Sequence, residues 1–281
     1  MNAVTSSLDR PALCAPLKLP ALRDLPALPA AVLELLELMG REDIDSAVLA
    51  AKISRDQALT AKTLRLANSS FYGMPRGVAS VPEAITVLGM RTVRMVVTAA
   101  ALTGSFKPPN CAGFDFMDFW SQSVGTAVGA RLVATVVGGD AETAFTAGLL
   151  HDIGQLVLAS VFPERFAQVL AHCTSTRIAL CDAEQALLGT DHAAVGALVA
   201  EHWHLPCSIV DAIGSHHVGA AQTAASQLAR IVHVADQLAH ATACGGRDGI
   251  WAGLGLSGDD WTRLLAETEL QTQSICAALL T

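Results

Sequence analysis

Residues 80–102 read SVPEAITVLGMRTVRMVVTAAAL, and they hold a helix start, a stop and a restart. Ser80 followed three residues later by Glu83 has the pattern of a capping box. There a hydroxyl and a carboxylate each satisfy an amide that the first helical turn leaves open, and Pro82 is tolerated because its missing N–H is not needed. Gly89 supplies the stop, and a second apolar helix is expected from about Arg91 to Leu102. Its most apolar part, Met95–Leu102, is interrupted by Thr98. That is far short of the ~20 apolar residues that span a bilayer, so a buried core helix is expected instead.

The same grammar runs in both directions. Upstream, Leu25-Pro26-Ala27-Leu28-Pro29 leads into a helix over Ala30–Met39 that Gly40 closes. Asp45 or Ser46 caps a helix through Ile53, and Asp56 caps another to Asn68, before a turn at Tyr72-Gly73-Met74-Pro75. Downstream, helices are expected at about 115–137, 141–160, 163–173, 177–188, 190–203, 206–217 and 223–242. A glycine-rich stretch and one or two short helices follow. Alternation with period two is rare and Ala and Leu abound, so the fold class is all-α. Two helical lobes are expected: a loose arm over 1–20, an N-terminal helical lobe over 21–106, a Pro/Gly-rich junction over 107–114, a second helical lobe over 115–243, and a C-terminal helical extension over 244–281.

Composition narrows the function. The 281 residues are 52% hydrophobic and 16% charged, with a mean hydropathy of +0.42, which excludes a disordered chain. A net charge of −8 disfavours nucleic acid and anionic membrane surfaces as partners. The start of the chain has no signal-peptide core, and the seven cysteines are odd in number with no CxxC pair. A reducing, cytoplasmic setting is expected.

All nine histidines lie between residues 151 and 240, and imidazole is the commonest transition-metal ligand. His151-Asp152 sits in the apolar run AGLLHDIG, expected as one helix, where an uncompensated His-Asp pair would cost several kcal/mol. Such a pair either cross-links helices or holds a cation. Asp191-His192 starts a helix and His216-His217 ends one; two histidines there can face a site or simply favour the helix dipole. Asp236 lies in the apolar IVHVADQL and needs a partner. His233 and His240, on its face, read as satisfied polar residues. His202 and His204 point about 200° apart on a helix and cannot converge on one ion, and His172 lies on an ordinary amphipathic helix.

The order of these features resembles the HD superfamily of metal-dependent phosphohydrolases: GLLHDIG, then DHAAVGALVAEHWHLP, then His-His, then VHVADQLA. LPALPAAVLELLELM, ISRDQALTAKTLRLANSSFYG and SVPEAITVLGMRTVR resemble the HDOD family, the HD-related output domain of bacterial signalling proteins. The resemblance covers about 20–240 and implies metal on a first His, on His151 and Asp152, and on Asp236. The first His falls at Gln122, a poor transition-metal ligand. The phosphate-holding Lys that follows the doublet in the hydrolases is Gln155 here. His192, His216 and His217 match the extra ligands of the related HD-GYP phosphodiesterases, although Val218 stands where those carry Glu and no Gly-Tyr-Pro loop follows.

The resemblance therefore implies a regulatory module, non-catalytic, that works by contacting signalling proteins or a second copy of itself. Its metal-ligand set is His151, Asp152, His192, His216, His217 and Asp236, for Fe, Mn, Zn or Mg. The alternative is a metal-dependent phosphohydrolase acting on a nucleotide or cyclic dinucleotide, with Asp152 orienting the nucleophile and Arg131 and Arg230 as the nearest cations. A third reading keeps the pocket as a nucleotide-binding sensor without turnover.

Overall fold

The computed structural model describes residues 45–69, 77–217, 225–244 and 253–280. The expected arm, the helix over Ala30–Met39, the Tyr72–Pro75 turn and Val218 lie outside the described residues. Among the described residues the structure is helical, with no strand. The first four helices are α1 (Ser46–Ser54), α2 (Gln57–Ala67), α3 (Val81–Leu88) and α4 (Met90–Ser105). Asp45 caps α1 by accepting from the Ala47 amide, and Asp56 caps α2 by accepting from Ala58 and Leu59. Ser80 accepts from the Glu83 amide, but the Glu83 carboxylate reaches past Ser80 to the Ala79 amide. The reciprocal arm of the expected capping box is thus displaced by one residue. Gly89, at φ 79°, turns α3 into α4 through a bend of 117°.

The later helices are α5 (Phe116–Val137), α6 (Ala141–Leu150), α7 (Ile153–Val161), α8 (Pro163–Thr176), α9 (Leu180–Leu188), α10 (His192–His202), α11 (Cys207–Ser215), α12 (Gln227–Cys244) and α13 (Gly258–Leu279). Two differences from expectation matter. The helix expected over 141–160 is broken at His151-Asp152, where Asp152 leaves helical geometry (φ −99°, ψ 10°). The C-terminal region forms one 22-residue helix rather than short pieces, and Ser257 and Asp260 give it a true capping box.

Helix α5 is the axis of the second half of the chain, with α6, α12 and α13 packed on it. Small residues make the close approach possible. A Cβ on Gly148 would stand 2.9 Å from the Ala127 Cα, and one on Gly125 3.2 Å from the Ala239 Cβ. The apolar core runs without interruption from Leu49 and Leu66 through Leu102, Trp120 and Phe166 to Ile213. Across residues 107–114 Cys111 donates to the Pro163 carbonyl, and Phe114 packs against Phe119 and Phe166. Helix α13 also reaches the first helices, where Ser274 bonds Ser69 and the Ala278 carbonyl accepts from Arg65.

One stretch, Ala141–Val161, is long and apolar enough by composition to cross a membrane, which the expectation drawn from Met95–Leu102 missed. It is 72% buried inside the protein and interrupted by His151-Asp152.

Candidate metal centre

The break between α6 and α7 is what builds the site. Leaving the helix at Asp152 frees its side chain to meet α10 and the end of α11, and Gly154 sets the spacing. A Cβ on Gly154 would fall on the His192 carbonyl and lie 2.8 Å from the Gly196 nitrogen, so α7 and α10 touch backbone to backbone. That contact carries His192 to Asp152.

The two oxygens of Asp152 face different groups. Oδ1 lies 3.1 Å from His192 Nε2 and 3.4 Å from His216 Nε2, and His217 Nε2 lies 2.7 Å from His192 Nε2. Ligand atoms of Asp152, His192, His216 and His217 all fall within 4.8 Å of one another. Oδ2 faces the other way, 3.4 Å from His151 Nε2, and accepts a 2.7 Å hydrogen bond from the Gln155 amide. His151 Nε2 is also 3.4 Å from Asp236 Oδ1, whose second neighbour is His240 at 3.1 Å.

Each buried ring is held by its far nitrogen. His151 Nδ1 lies 2.8 Å from the Gly148 carbonyl and His216 Nδ1 2.6 Å from the Ile213 carbonyl. A carbonyl only accepts, so both Nδ1 atoms carry a proton, and in the neutral form of each ring the lone pair is on Nε2, which faces Asp152. His192 Nδ1 is held in the same sense by Glu184, at 2.6 Å. His151 Nε2, His216 Nε2 and Asp152 Oδ1 are buried with no hydrogen-bond partner. Two of these orphans, Asp152 Oδ1 and His216 Nε2, face each other at 3.4 Å while His151 Nε2 lies on the Oδ2 side, and such orphans are costly unless a cation satisfies them. The residues present therefore fit a divalent metal ion, and three imidazoles with one carboxylate suit Zn, Fe or Mn better than Mg.

The electrostatics follow from the crowding. Burial resists charging of His192, yet the Asp152 carboxylate outweighs it and holds the pKa well above the ordinary value. Burial pushes His217 down, with His216 and His192 adding, to about 3. Burial also lowers His216. Burial opposes ionisation of Asp152, but the charges of His151 and His192 hold its carboxyl well below the usual range. Asp236 beside it raises His240 to about 9.

The six residues expected as ligands, His151, Asp152, His192, His216, His217 and Asp236, thus gather in two subsets that share Asp152. Gln122 is half-buried on α5, and its side chain makes no hydrogen bond among the described residues. Asp191 caps α10 by accepting from the Ala194 amide. His233 donates to the His216 carbonyl and so braces the His216-His217 segment. His240 lies against the backbone carbonyl and side chain of Asp236. His172, His202 and His204 stay outside the cluster. Arg131 bonds Gln271, and Arg230 bonds the Gly253 carbonyl; neither pairs with the cluster. Every ion pair of Asp152 and Asp236 among the described residues is with a histidine. Sequence reasoning missed Glu184, which is fully buried against His192. Its signal was a carboxylate in the apolar helix AEQALL, eight residues before His192.

Among the described residues the large apolar side chains that stay exposed are Val48, Met117, Val136, Ile178, Leu198 and Leu270.

Comparison with known proteins places the fold. A family model described as the HDOD domain matches residues 25–218. An uncharacterized protein of Treponema pallidum (strain Nichols) is 27% identical over 196 residues; the match takes in 69% of this chain but only 38% of that protein's length. Among solved structures, a Shewanella amazonensis protein described provisionally as a phosphohydrolase is 29% identical, with a TM-score of 0.76 over 92% of this chain and 96% of that one. An HDOD domain protein of unknown function from Geobacter sulfurreducens is 28% identical, with a TM-score of 0.75 over 91% and 92%. A Marinobacter aquaeolei protein described provisionally as acting in signal transduction is 27% identical, with a TM-score of 0.76 over 92% and 60%.

Proposed function

Because the chain belongs to the HDOD domain family, we propose that it is a signal-transduction output module of the HD superfamily whose HD site holds a metal ion without hydrolysing phosphoesters. Its output is contact with signalling proteins. The observation that carries this is the hydrogen bond from Gln155 to Asp152 Oδ2 at 2.7 Å. Where a hydrolase of this superfamily has a Lys to hold phosphate, this chain has a neutral amide turned inward onto its own carboxylate. Among the described residues, the ion pairs of Asp152 and Asp236 are with histidines, and no lysine or arginine pairs with either carboxylate.

Asp152 Oδ1, His192, His216 and His217 would hold the ion. A metal bound there could lower the pKa of a water and polarise a phosphoryl oxygen. The chain's own groups do a different job: they join α7, α10, α11 and α12 at one point and neutralise charges buried between them. Ion binding would then stiffen the helices that meet a partner.

A second reading, a metal-dependent phosphohydrolase acting on a nucleotide or cyclic dinucleotide, is favoured by the orphaned Asp152 Oδ1 and His216 Nε2, which face each other at 3.4 Å. The deciding experiment is a phosphoester panel that includes nucleoside mono-, di- and triphosphates and cyclic dinucleotides, with the protein loaded with Mn²⁺, Fe²⁺ or Zn²⁺. No turnover above the metal alone is expected. Turnover abolished by Asp152→Asn would overturn the proposal and establish the hydrolase.

A further inference from the structure

Glu184 is fully buried on α9, and its Oε2 accepts two hydrogen bonds from one residue: from the His192 amide at 2.9 Å and from His192 Nδ1 at 2.6 Å. Its other oxygen, Oε1, is buried with no partner. Among the described residues its one ion pair is with His192. The half-buried Cys181, whose Sγ lies 3.9 Å from His192 Nδ1, is the third group in the cluster. A buried carboxylate in such surroundings is expensive unless positive charge stands nearby. Here it lies behind an imidazole whose other nitrogen faces Asp152 Oδ1 at 3.1 Å.

The other two buried rings are held by backbone carbonyls of their own helices, His151 by Gly148 and His216 by Ile213. His192 sits at the first position of α10, where no preceding helical turn exists to supply a carbonyl. It needs an acceptor from another element, and α9 provides it.

We propose that Glu184 is the positioning residue of the metal centre: it fixes His192 in the Nδ1–H tautomer and orients Nε2 toward Asp152, so that α9 is coupled to the centre through one side chain. This rests on the metal reading above. A carboxylate behind a ligating imidazole also raises the basicity of the ligand nitrogen, and losing such a partner commonly costs ~10–100-fold in metal affinity.

The test compares wild type with E184A and E184Q by two readouts. The first is the His192 tautomer in the metal-free protein, read from ¹⁵N imidazole shifts at a pH where that ring is neutral. The second is Zn²⁺ affinity by competition with a chelator. Wild type is expected to show the Nδ1–H tautomer, and E184A to lose it and bind Zn²⁺ ~10–100-fold more weakly. The amide oxygen of the E184Q side chain can still accept from both His192 groups, so E184Q is expected to keep the tautomer and lose less affinity. Should E184A not fold, E184D withdraws the acceptor by one methylene and serves in its place.

E184A or E184D with an unchanged His192 tautomer would overturn the proposal, as would Zn²⁺ affinity equal to wild type. If wild type binds no metal, the metal reading fails, and the tautomer measurement alone still decides whether Glu184 positions His192.

Discussion

Gln155 donates to Oδ2 of Asp152 at 2.7 Å while Oδ1 of the same carboxylate, turned toward His192 and His216, has no hydrogen-bond partner. One oxygen is satisfied from its own helix and the other waits for something from outside the chain. That asymmetry separates the His192–His216–His217 side from the His151–Asp236 side. A hydrogen bond to a charged acceptor contributes about 1.5–3 kcal/mol. Gln155→Leu is therefore expected to destabilise the metal-free protein by about that amount in urea denaturation. Unchanged stability would mean that Oδ2 is satisfied by water in solution.

Gly154 governs whether the two sides exist at all. Its α-carbon lies so close to the His192 carbonyl that any Cβ must overlap backbone, which cannot swing aside as a side chain can. Gly154→Ala is expected to cost more than about 3 kcal/mol, beyond ordinary overpacking, because α7 must separate from α10. Gly255→Ala, where a Cβ would meet nothing but φ is 73°, carries only local backbone strain. Thermal melts of the two variants should differ clearly. Equal, small losses would show that α7 and α10 can part at little cost.

The helical architecture was legible because its signals are local: Asp45 and Asp56 cap their helices through their own side chains. The histidine cluster was legible by residue type and order. What escaped were facts set by tertiary contact. Periodicity ran one helix through His151-Asp152, since both flanks are equally apolar, and only the Gly154–His192 approach shows why the chain must leave the helix there. Glu184 escaped because a glutamate in a helix is ordinarily exposed, and its apolar neighbours in AEQALL signal burial but not that it faces His192. Ser80 and Glu83 fitted a capping box, and a shift of one residue in the acceptor is below what a pattern can resolve.

Asp140 offers a pH-dependent check on the approach to the site, because it caps α6, the helix that ends at His151. Burial resists its ionisation, but hydrogen bonds from Thr143 and Glu142 prevail and hold its pKa below 3.8. A carboxyl depressed in the folded state stabilises above its unfolded pKa, and that gain is lost as pH falls through the folded value. Asp140→Ala is expected to cost about 1 kcal/mol at neutral pH, as N-cap removals do. The gap between variant and wild type should hold down to about pH 4 and narrow below it. A gap independent of pH across that range would mean that the charge contributes nothing to the cap.

The position of the ion can be tested with two histidines that share burial and anchoring but face different oxygens of Asp152. His151 and His216 are both buried, both held at Nδ1 by a helix carbonyl, and both left with an orphaned Nε2. They differ in which oxygen of Asp152 they face: His151 meets Oδ2, which Gln155 already occupies, and His216 meets Oδ1, which is open. The His151 side also lacks an imidazole at Gln122. A metal on the open side needs Asp152, His192, His216 and His217, so His216→Ala is expected to strip stoichiometric metal while His151→Ala retains it with weakened affinity. Elemental analysis of protein purified without chelator or affinity tag measures both. Because ligating imidazoles must be unprotonated, retention should also fall as pH drops, and bound metal should be released first from the variant. Loss of metal from His151→Ala with retention in His216→Ala would put the ion on the Asp236 side and remove the ground for assigning it to the three later histidines.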